Sequence, residues 1–516
     1  MSPSSVSTFI KRLSIPSFLV ALLASSFLFS SCKAKSEVIL LHMNDVYEIG
    51  PVGGKGGLAR VAWLKKKLQK EGPVLVLHAG DALSPSALGT AKYQGERLAG
   101  RQMVAVLNEL KIDVAVLGNH EFDLKKKQFL SRLSESRFSW ISANAFQKNG
   151  KPFPGVAGYK ILEVKLDEER TLKIGVFGLT INSNRARYVR YQNAHKVARG
   201  LVKFLREKKK VHVVIALTHL ALEADRRLAR EVPGIDLILG GHEHDHKGIA
   251  GAPPIYKADA NAKTVYVHRL KYNFTTGELV TKSVLRDLGA KTPEDKEIAA
   301  VVGKWTKIAY AGFQGFQPDQ EIARISFPLD GRESAVRNSS SRLTELTAKS
   351  LRRAVPGSHA AIYNSGSIRI DDVIQPGPVT QYDVIRILPF GGKILTVELR
   401  GDILLKVLAQ GRENRGEGGF LQTDGVKYLD EPAKSKAPGA NKKSRKVKSR
   451  KLADRFLLNG KKIRKKKVYK IAMNDYLLLG LETGLSFLKD GKPGVKVAEE
   501  GPDMRVALIN ELKRLK

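Results

Sequence analysis

Val114-Ala-Val-Leu117 runs without a break into Gly118-Asn119-His120-Glu121-Phe122-Asp123. Four consecutive apolar residues of largely β-branched type read as a strand buried on both faces. The glycine that follows lets the chain turn sharply, and an amide, an imidazole and carboxylates come within five residues of it. Working outward, the same arrangement recurs. Val38-Ile-Leu-Leu41 precedes Asn44-Asp45-Val46-Tyr47, and Val74-Leu-Val-Leu77 precedes Gly80-Asp81. Val213-Val-Ile-Ala-Leu217 leads into Thr218-His219, and Ile235-Asp-Leu-Ile-Leu239 into Gly240-Gly241-His242-Glu243-His244-Asp245. Amphipathic helical stretches lie between these runs and a further run, Ile174-Gly-Val-Phe177. The pattern from Val38 to about Lys282 is that of a layered α/β domain, whose ligands gather beyond the carboxyl ends of the strands.

Carboxylate oxygen, amide oxygen and imidazole nitrogen are the donor set that divalent Mn, Zn, Co or Fe takes. One carboxylate set between two such ions can bridge them and leave positions for a hydroxide and a phosphoryl oxygen. Each motif alone is weak, since aspartate at a strand end commonly caps a helix. Five in order, all at one end of the sheet, point to two divalent ions.

The whole chain has 516 residues, enough for two or three domains at roughly 150 residues each. Hydrophobic and charged fractions of 42% and 27% exclude global disorder and collagen-like structure. A single cysteine excludes a disulfide scaffold and any cysteine-based zinc or iron–sulfur cluster. The net charge of +37 favours anionic partners. Residues 433–467 hold 16 Lys and Arg against Asp454 alone, but aromatic residues are not interleaved through the basic run for base stacking. That argues for a solvated loop and hairpin, with Asn459-Gly460 at the tight turn, and against nucleic acid as partner.

Residues 1–31 form a secretory signal: Lys11 and Arg12, an apolar run from Ile15 to Phe29, then Ser30-Ser31 before Cys32. The exit resembles a bacterial lipobox, which implies acylation of Cys32 and an exported protein tethered to the cell envelope membrane. An uncleaved anchor helix is the other reading, and it too tethers the protein.

These motifs, with Gly56-Gly-Leu-Ala-Arg60 and Gly100-Arg-Gln-Met-Val104, resemble the 5'-nucleotidase branch of the calcineurin-like metallophosphoesterases. The resemblance implies an α/β fold, a four-layer β-sandwich flanked by helices over residues 37–282. Residues 283–332, a charged helical sequence followed by Gly312-Phe-Gln-Gly-Phe-Gln-Pro318, read as a connector and hinge, and the α+β substrate-binding domain is expected at 333–516. The resemblance implies that Asp81 bridges two metals, that Asp45 and His244 serve the first, and that Asn119, His219 and His242 serve the second. His120 is implied to act on the phosphoryl group or leaving group, with Asp123 fixing its tautomer. The family's first motif is Asp-x-His, and here that histidine is Tyr47. Either the first site has fewer protein ligands and more water, or a phenolate holds a harder metal, or Tyr47 is a packing residue.

In the second domain, Asn364-Ser-Gly-Ser-Ile-Arg369 resembles the family's Asn-Gly-Gly-Gly-Ile-Arg segment, which implies that Arg369 grips substrate phosphate. Leu388-Pro-Phe-Gly-Gly392 fits the same domain. Gly419-Phe420-Leu-Gln422 implies Phe420 as a ring stacking on a nucleobase. Asn474-Asp475-Tyr476-Leu477 opens the next motif, but its Gly-Gly-Asp-Gly core is Gly480-Leu-Glu-Thr-Gly484 here, which leaves Phe487 as a second stacking face. The expected activity is metal-dependent hydrolysis of a phosphoester in a phosphorylated small molecule, a nucleotide by resemblance. The altered motif keeps open a nucleotide diphosphate sugar, a cyclic nucleotide or a non-nucleotide phosphoester. A non-catalytic module binding anionic polymers is the alternative outside the enzymes.

Overall fold

The computed structural model describes residues 37–184, 186–429 and 455–515. Cys32, the expected signal segment and residues 433–454 of the basic stretch lie outside the described residues. No described helix is long and apolar enough to cross a membrane.

Strand β1 (Val38–Met43) shows why the apolar runs are continuous. Val38 and Leu40 enter a core between two sheets, whereas Ile39, Leu41 and Met43 enter a core beneath helices. Side chains alternate with period two, so a strand covered on both faces needs apolar residues at nearly every position. β1, β2 (Val74–His78) and β3 (Val114–Val116) are neighbours in a seven-stranded sheet. β4 (Val213–His219) and β5 (Leu237–Gly240) are neighbours in a six-stranded one. The inter-sheet core joins Leu40, Leu77 and Val116 of one sheet to Val176, Ile215 and Leu239 of the other. Helices Leu58–Leu68, Arg101–Leu110 and Lys296–Ala311 lie outside the first sheet, and Ala194–Glu207 and Leu222–Glu231 outside the second. The expected four layers, helix, sheet, sheet, helix, are present.

The connector expected at 283–332 needs correction. Leu279–Asp287 is the edge strand of the seven-stranded sheet, paired along its whole length with Thr264–Tyr272. Helix Lys296–Ala311 then packs Ile298, Trp305 and Ala309 into the first domain's core. Its charged residues occupy the opposite face, so the segment looks polar while one stripe is buried. The second domain begins at Glu321–Ile325, which pairs with Gly377–Thr380, well before residue 333. Its central sheet has the order Leu421–Asp424, Ala360–Asn364, Val468–Asn474, Lys393–Arg400, Val495–Asp503. Helices Arg342–Ala354 and Met504–Leu512 cover one face and Gly401–Glu413 the other. The hairpin at Asn459-Gly460 has positive φ at both residues, 47° and 77°, and pairs Leu458 with Lys461.

Three histidines are buried in the first sheet. His42 reaches the Gly240 carbonyl of the other sheet at 3.2 Å, and His268 meets Ser283 Oγ at 2.7 Å. Neither ring nitrogen of His78 has a partner. Burial pushes His42 down to about 3 and His78 to about 4, and holds His268 well below its usual range. The unfolded chain takes up these protons near pH 6.5 and the folded chain resists them, so this contribution is complete above pH 6.5 and is lost as pH falls towards 4 and below. Unfolding free energy is expected to drop by about 1.4 kcal/mol per pH unit for each histidine in that window. Denaturant titrations from pH 7 to 4 should show the slope reduced by one proton in His268→Gln. An unchanged slope would contradict the assignment.

Candidate active site

The five motifs meet where β1 to β5 end. Asp45, Asp81, His242 and His244 all have positive φ, at 52°, 58°, 88° and 62°. Non-glycine residues hold such conformations at a cost of about 1–3 kcal/mol each, and only where surrounding bonds impose them. Here Asp45 N–H donates to the Gly80 carbonyl at 3.0 Å, and Asp45 Oδ2 accepts from Asn44 Nδ2 at 2.7 Å and His242 N–H at 2.8 Å. Asp81 Oδ1 accepts the His120 N–H at 2.8 Å. Two glycines allow the strands this close. A Cβ on Gly118 would stand 2.1 Å from Asp81 Oδ1, and one on Gly241 would stand 2.5 Å from the Ala79 carbonyl.

Asp45, Asp81 and His219 present ligand atoms within 4.8 Å of one another, all buried. His219 Nδ1–H donates to the Ala79 carbonyl at 2.8 Å, which turns Nε2 toward Asp81 Oδ2 at 3.1 Å. Among the described atoms, His219 Nε2 and Asn119 Oδ1 are buried without a hydrogen-bond partner. Burial would raise Asp81, but His219 and His120 outweigh it and bring it to about 2. Burial would lower His219, yet Asp81 and Asp45 raise it to about 9. Two ionised carboxylates with unpaired nitrogen and amide-oxygen atoms beside them fit a divalent cation. Burial, then the charge of His219, pushes His242 down to about 3, so its ring is neutral and available as a ligand. The His219 and His242 rings are 5.3 Å apart.

His244 Nε2 lies 3.4 Å from Asp45 Oδ1. The Tyr47 hydroxyl is 2.9 Å from that nitrogen and 3.3 Å from both Asp45 Oδ1 and Asp81 Oδ2. The phenol therefore points into the carboxylate cluster. Burial and then the charges of Asp81 and Asp45 hold its pKa well above the ordinary value.

His120 Nδ1 is 2.6 Å from Asp123 Oδ2. Burial would lower His120, but Asp123 and Asp81 raise it. From the second domain, Arg369 Nη2 comes within 3.7 Å of Asp123 Oδ2 and Nη1 within 3.8 Å of Glu333. Asn364 is buried nearby in its own domain, accepting from Asn474 Nδ2 at 2.9 Å and Ser367 Oγ at 2.8 Å. The two stacking faces are placed differently from expectation. Phe420 is only 4% exposed, its backbone held by Ser365 N–H and Glu417 O, while Glu482 lies against Gly419 and meets Asn364 at 3.4 Å. Phe487 packs on the second domain's apolar core. The exposed aromatic rings near Arg369 are Phe390, over its guanidinium at 5.9 Å, and Tyr476.

Several contributors were not singled out by sequence reasoning. Glu121 accepts the N–H groups of Gly118, Asp81, Ala82 and Leu83 at 2.6–3.1 Å, locking two site loops together. Burial, then Asp81, pushes its pKa up to about 7. Asn184 donates to Asp123 Oδ1 at 2.8 Å and to the Asn119 carbonyl at 2.9 Å. Lys257 is buried with Asp225 at 2.9 Å, Glu243, and the carbonyls of Leu220 and Gly241, and so fixes the loop that carries His242 and His244. A lysine inside the apolar run Ile255-Tyr-Lys257-Ala258 was the available signal.

A two-sheet sandwich with carboxylate, amide and imidazole donors at its strand ends, closed over by a domain offering arginine, is a metal-dependent phosphohydrolase. Residues 39–246 match the calcineurin-like phosphoesterase family, and residues 321–490 match the 5'-nucleotidase C-terminal domain. The chain thus carries a calcineurin-like phosphoesterase domain followed by a 5'-nucleotidase C-terminal domain. It is 28% identical over 450 residues to the snake venom 5'-nucleotidase of Crotalus adamanteus, covering 76% of this chain and 73% of that one. It is 27% identical over 517 residues to the 5'-nucleotidase of Bos taurus, covering 88% and 85%. The 5'-nucleotidase precursor of Thermus thermophilus shares the fold with a TM-score of 0.69 at 24% identity, over 93% of this chain and 97% of that one.

Proposed function

We propose that the chain hydrolyses nucleoside monophosphates at this centre, with two divalent ions held by Asp45, Asp81, Asn119, His219, His242 and His244. The observation that supports this reading is Arg369 of the second domain, whose guanidinium lies 3.7 Å from Asp123, beside His120, and has the planar fork that suits a phosphate. The ions, when bound, polarise the phosphoryl group and supply the nucleophile at neutral pH. The protein's own part is positional. Asp123 holds His120 with Nδ1–H directed inward, which frees Nε2 for a phosphoryl or leaving-group oxygen. Its raised pKa keeps a proton available to donate. Arg369 orients the phosphate.

The buried ring of Phe420 favours a second reading, a phosphomonoester without a nucleobase. Turnover of AMP and glycerol phosphate with added Mn²⁺, and with chelator as control, separates the two. On the nucleotide reading AMP is the better substrate, and Phe420→Ala weakens AMP alone by about 1–3 kcal/mol, the cost of a lost base stack. Arg369→Lys keeps the charge but loses the fork, and should raise KM for both substrates. Equal losses on both substrates in Phe420→Ala would make the ring part of the core and rule out base stacking on it.

A further inference from the structure

His219 is oriented by its own domain, through the Ala79 carbonyl. His244 is not. Its Nδ1 is hydrogen-bonded to Asp371, two residues beyond Arg369 in the second domain. Asp371 is 19% exposed at its side chain and has positive φ, 39°. Its Oδ1 accepts the Glu333 N–H at 2.6 Å, which fixes the carboxylate from behind. An ionised carboxylate only accepts, so His244 carries a proton on Nδ1, and this bond fixes the ring with Nε2 facing Asp45 Oδ1 at 3.4 Å. Two further contacts hold the domains together around this bond: Lys263 to Asp372 at 2.7 Å, and Tyr382 O–H to Glu48 at 2.6 Å.

We propose that Asp371 is a positioning residue that completes the first metal site from the opposite domain, so that metal binding at His244 and closure of the two domains favour each other. The inference rests on His244 being a metal ligand. A histidine ligand needs its second nitrogen held by a carboxylate or carbonyl to fix tautomer and ring orientation. Here that holder belongs to the second domain, so any separation of the two domains would take it away from His244. The first site also lacks the family's histidine at position 47, so little else from the chain compensates. Because coupling between two equilibria is reciprocal, any factor by which closure tightens the metal is the factor by which the metal tightens closure.

The test is Mn²⁺ binding to the full chain by equilibrium dialysis, with small-angle scattering to follow closure. Asp371→Asn keeps an acceptor for Glu333 N–H and nearly the same shape. It should weaken the lower-affinity Mn²⁺ site by about 10–100-fold and leave the other unchanged. Mn²⁺ should compact the wild type and fail to compact Asp371→Asn at the same concentration. Tyr382→Phe removes an interdomain bond without touching His244 and acts through closure alone, so it should weaken the same site only, and by less than Asp371→Asn. His244→Ala serves as the reference and should lose the weaker site. Wild-type binding in Asp371→Asn beside a lost site in His244→Ala would overturn the inference and leave the ligand reading standing. Two intact sites in His244→Ala would overturn the ligand reading itself. Equal weakening of both sites in Asp371→Asn, or a first site untouched by Tyr382→Phe while scattering shows the domains loosened, would break the link between closure and the first site and end the proposal.

Discussion

Replacing His120 by alanine is expected to lower kcat by about 10²–10⁴-fold while the metal content of the protein stays at the wild-type level. On the proposed reading the side chain acts without serving as a ligand. Its Nδ1 is committed to Asp123 at 2.6 Å, and that carboxylate is in turn fixed by Asn184 at 2.8 Å. Losing the ring removes a proton donor from the phosphoryl group but leaves Asp45, Asp81 and His219 in place. Its backbone N–H still donates to Asp81 Oδ1, so the carboxylate keeps its position. Atomic absorption on the purified variant, beside its turnover of a phosphomonoester, checks both halves. A variant that loses metal in proportion to activity would move His120 into the ligand set.

Asp81 is expected to behave in the opposite way. Asp81→Ala should shed metal, and activity should fall with it by at least about 10²–10³-fold, the size of losing one preorganised electrostatic group. The carboxylate lies 3.1 Å from His219 Nε2 and shares a 4.8 Å cluster with Asp45. Its removal withdraws a charge from the common space of the site. Alanine at φ 58° adds backbone strain, so Asp81→Asn is the companion variant: asparagine tolerates that conformation and still accepts the His120 N–H. Both variants should show less than one metal per chain after dialysis. Two retained ions in either one would exclude Asp81 as the bridge.

The layered first domain is legible in the sequence because a strand buried on both faces writes an unbroken apolar run, and the motifs sit at the ends of those runs. The candidate ligand residues can be picked out for the same reason: position at a strand's carboxyl end is a sequence property. Their supports are not. Asn184 and Lys257 act on residues 61 and 14 positions away, respectively, by routes that only the folded sheets define. Asp371 acts across the domain interface from 127 positions away. Glu121 stands inside a recognised motif, yet its role is to accept four backbone N–H groups, and backbone partners leave no trace in side-chain pattern. Helix Lys296–Ala311 reads as a connector because its charges stand out and its Ile298–Trp305–Ala309 stripe does not. Phe420 shows the limit of carrying a role over by motif: the residue is in place, but its surroundings have closed on it.

The tight seating of Gly118 and Gly241 has a consequence for how sequences like this one can drift. At most exposed turns a glycine sits in open space; nothing stands within 4 Å of a Cβ added at Gly95, Gly155 or Gly460. A mutation there explores new side chains at the cost of backbone strain alone. At Gly118 the first atom met is the carboxylate oxygen of Asp81, and at Gly241 the Ala79 carbonyl is followed by Asp45 Oδ2 at 2.9 Å. No side chain can be tried at either point without displacing a carboxylate of the metal cluster. Variation is thereby channelled away from the carboxylate floor and towards positions such as Phe390 and Tyr476 of the second domain, which stand 48% and 39% exposed and where a new side chain meets solvent first.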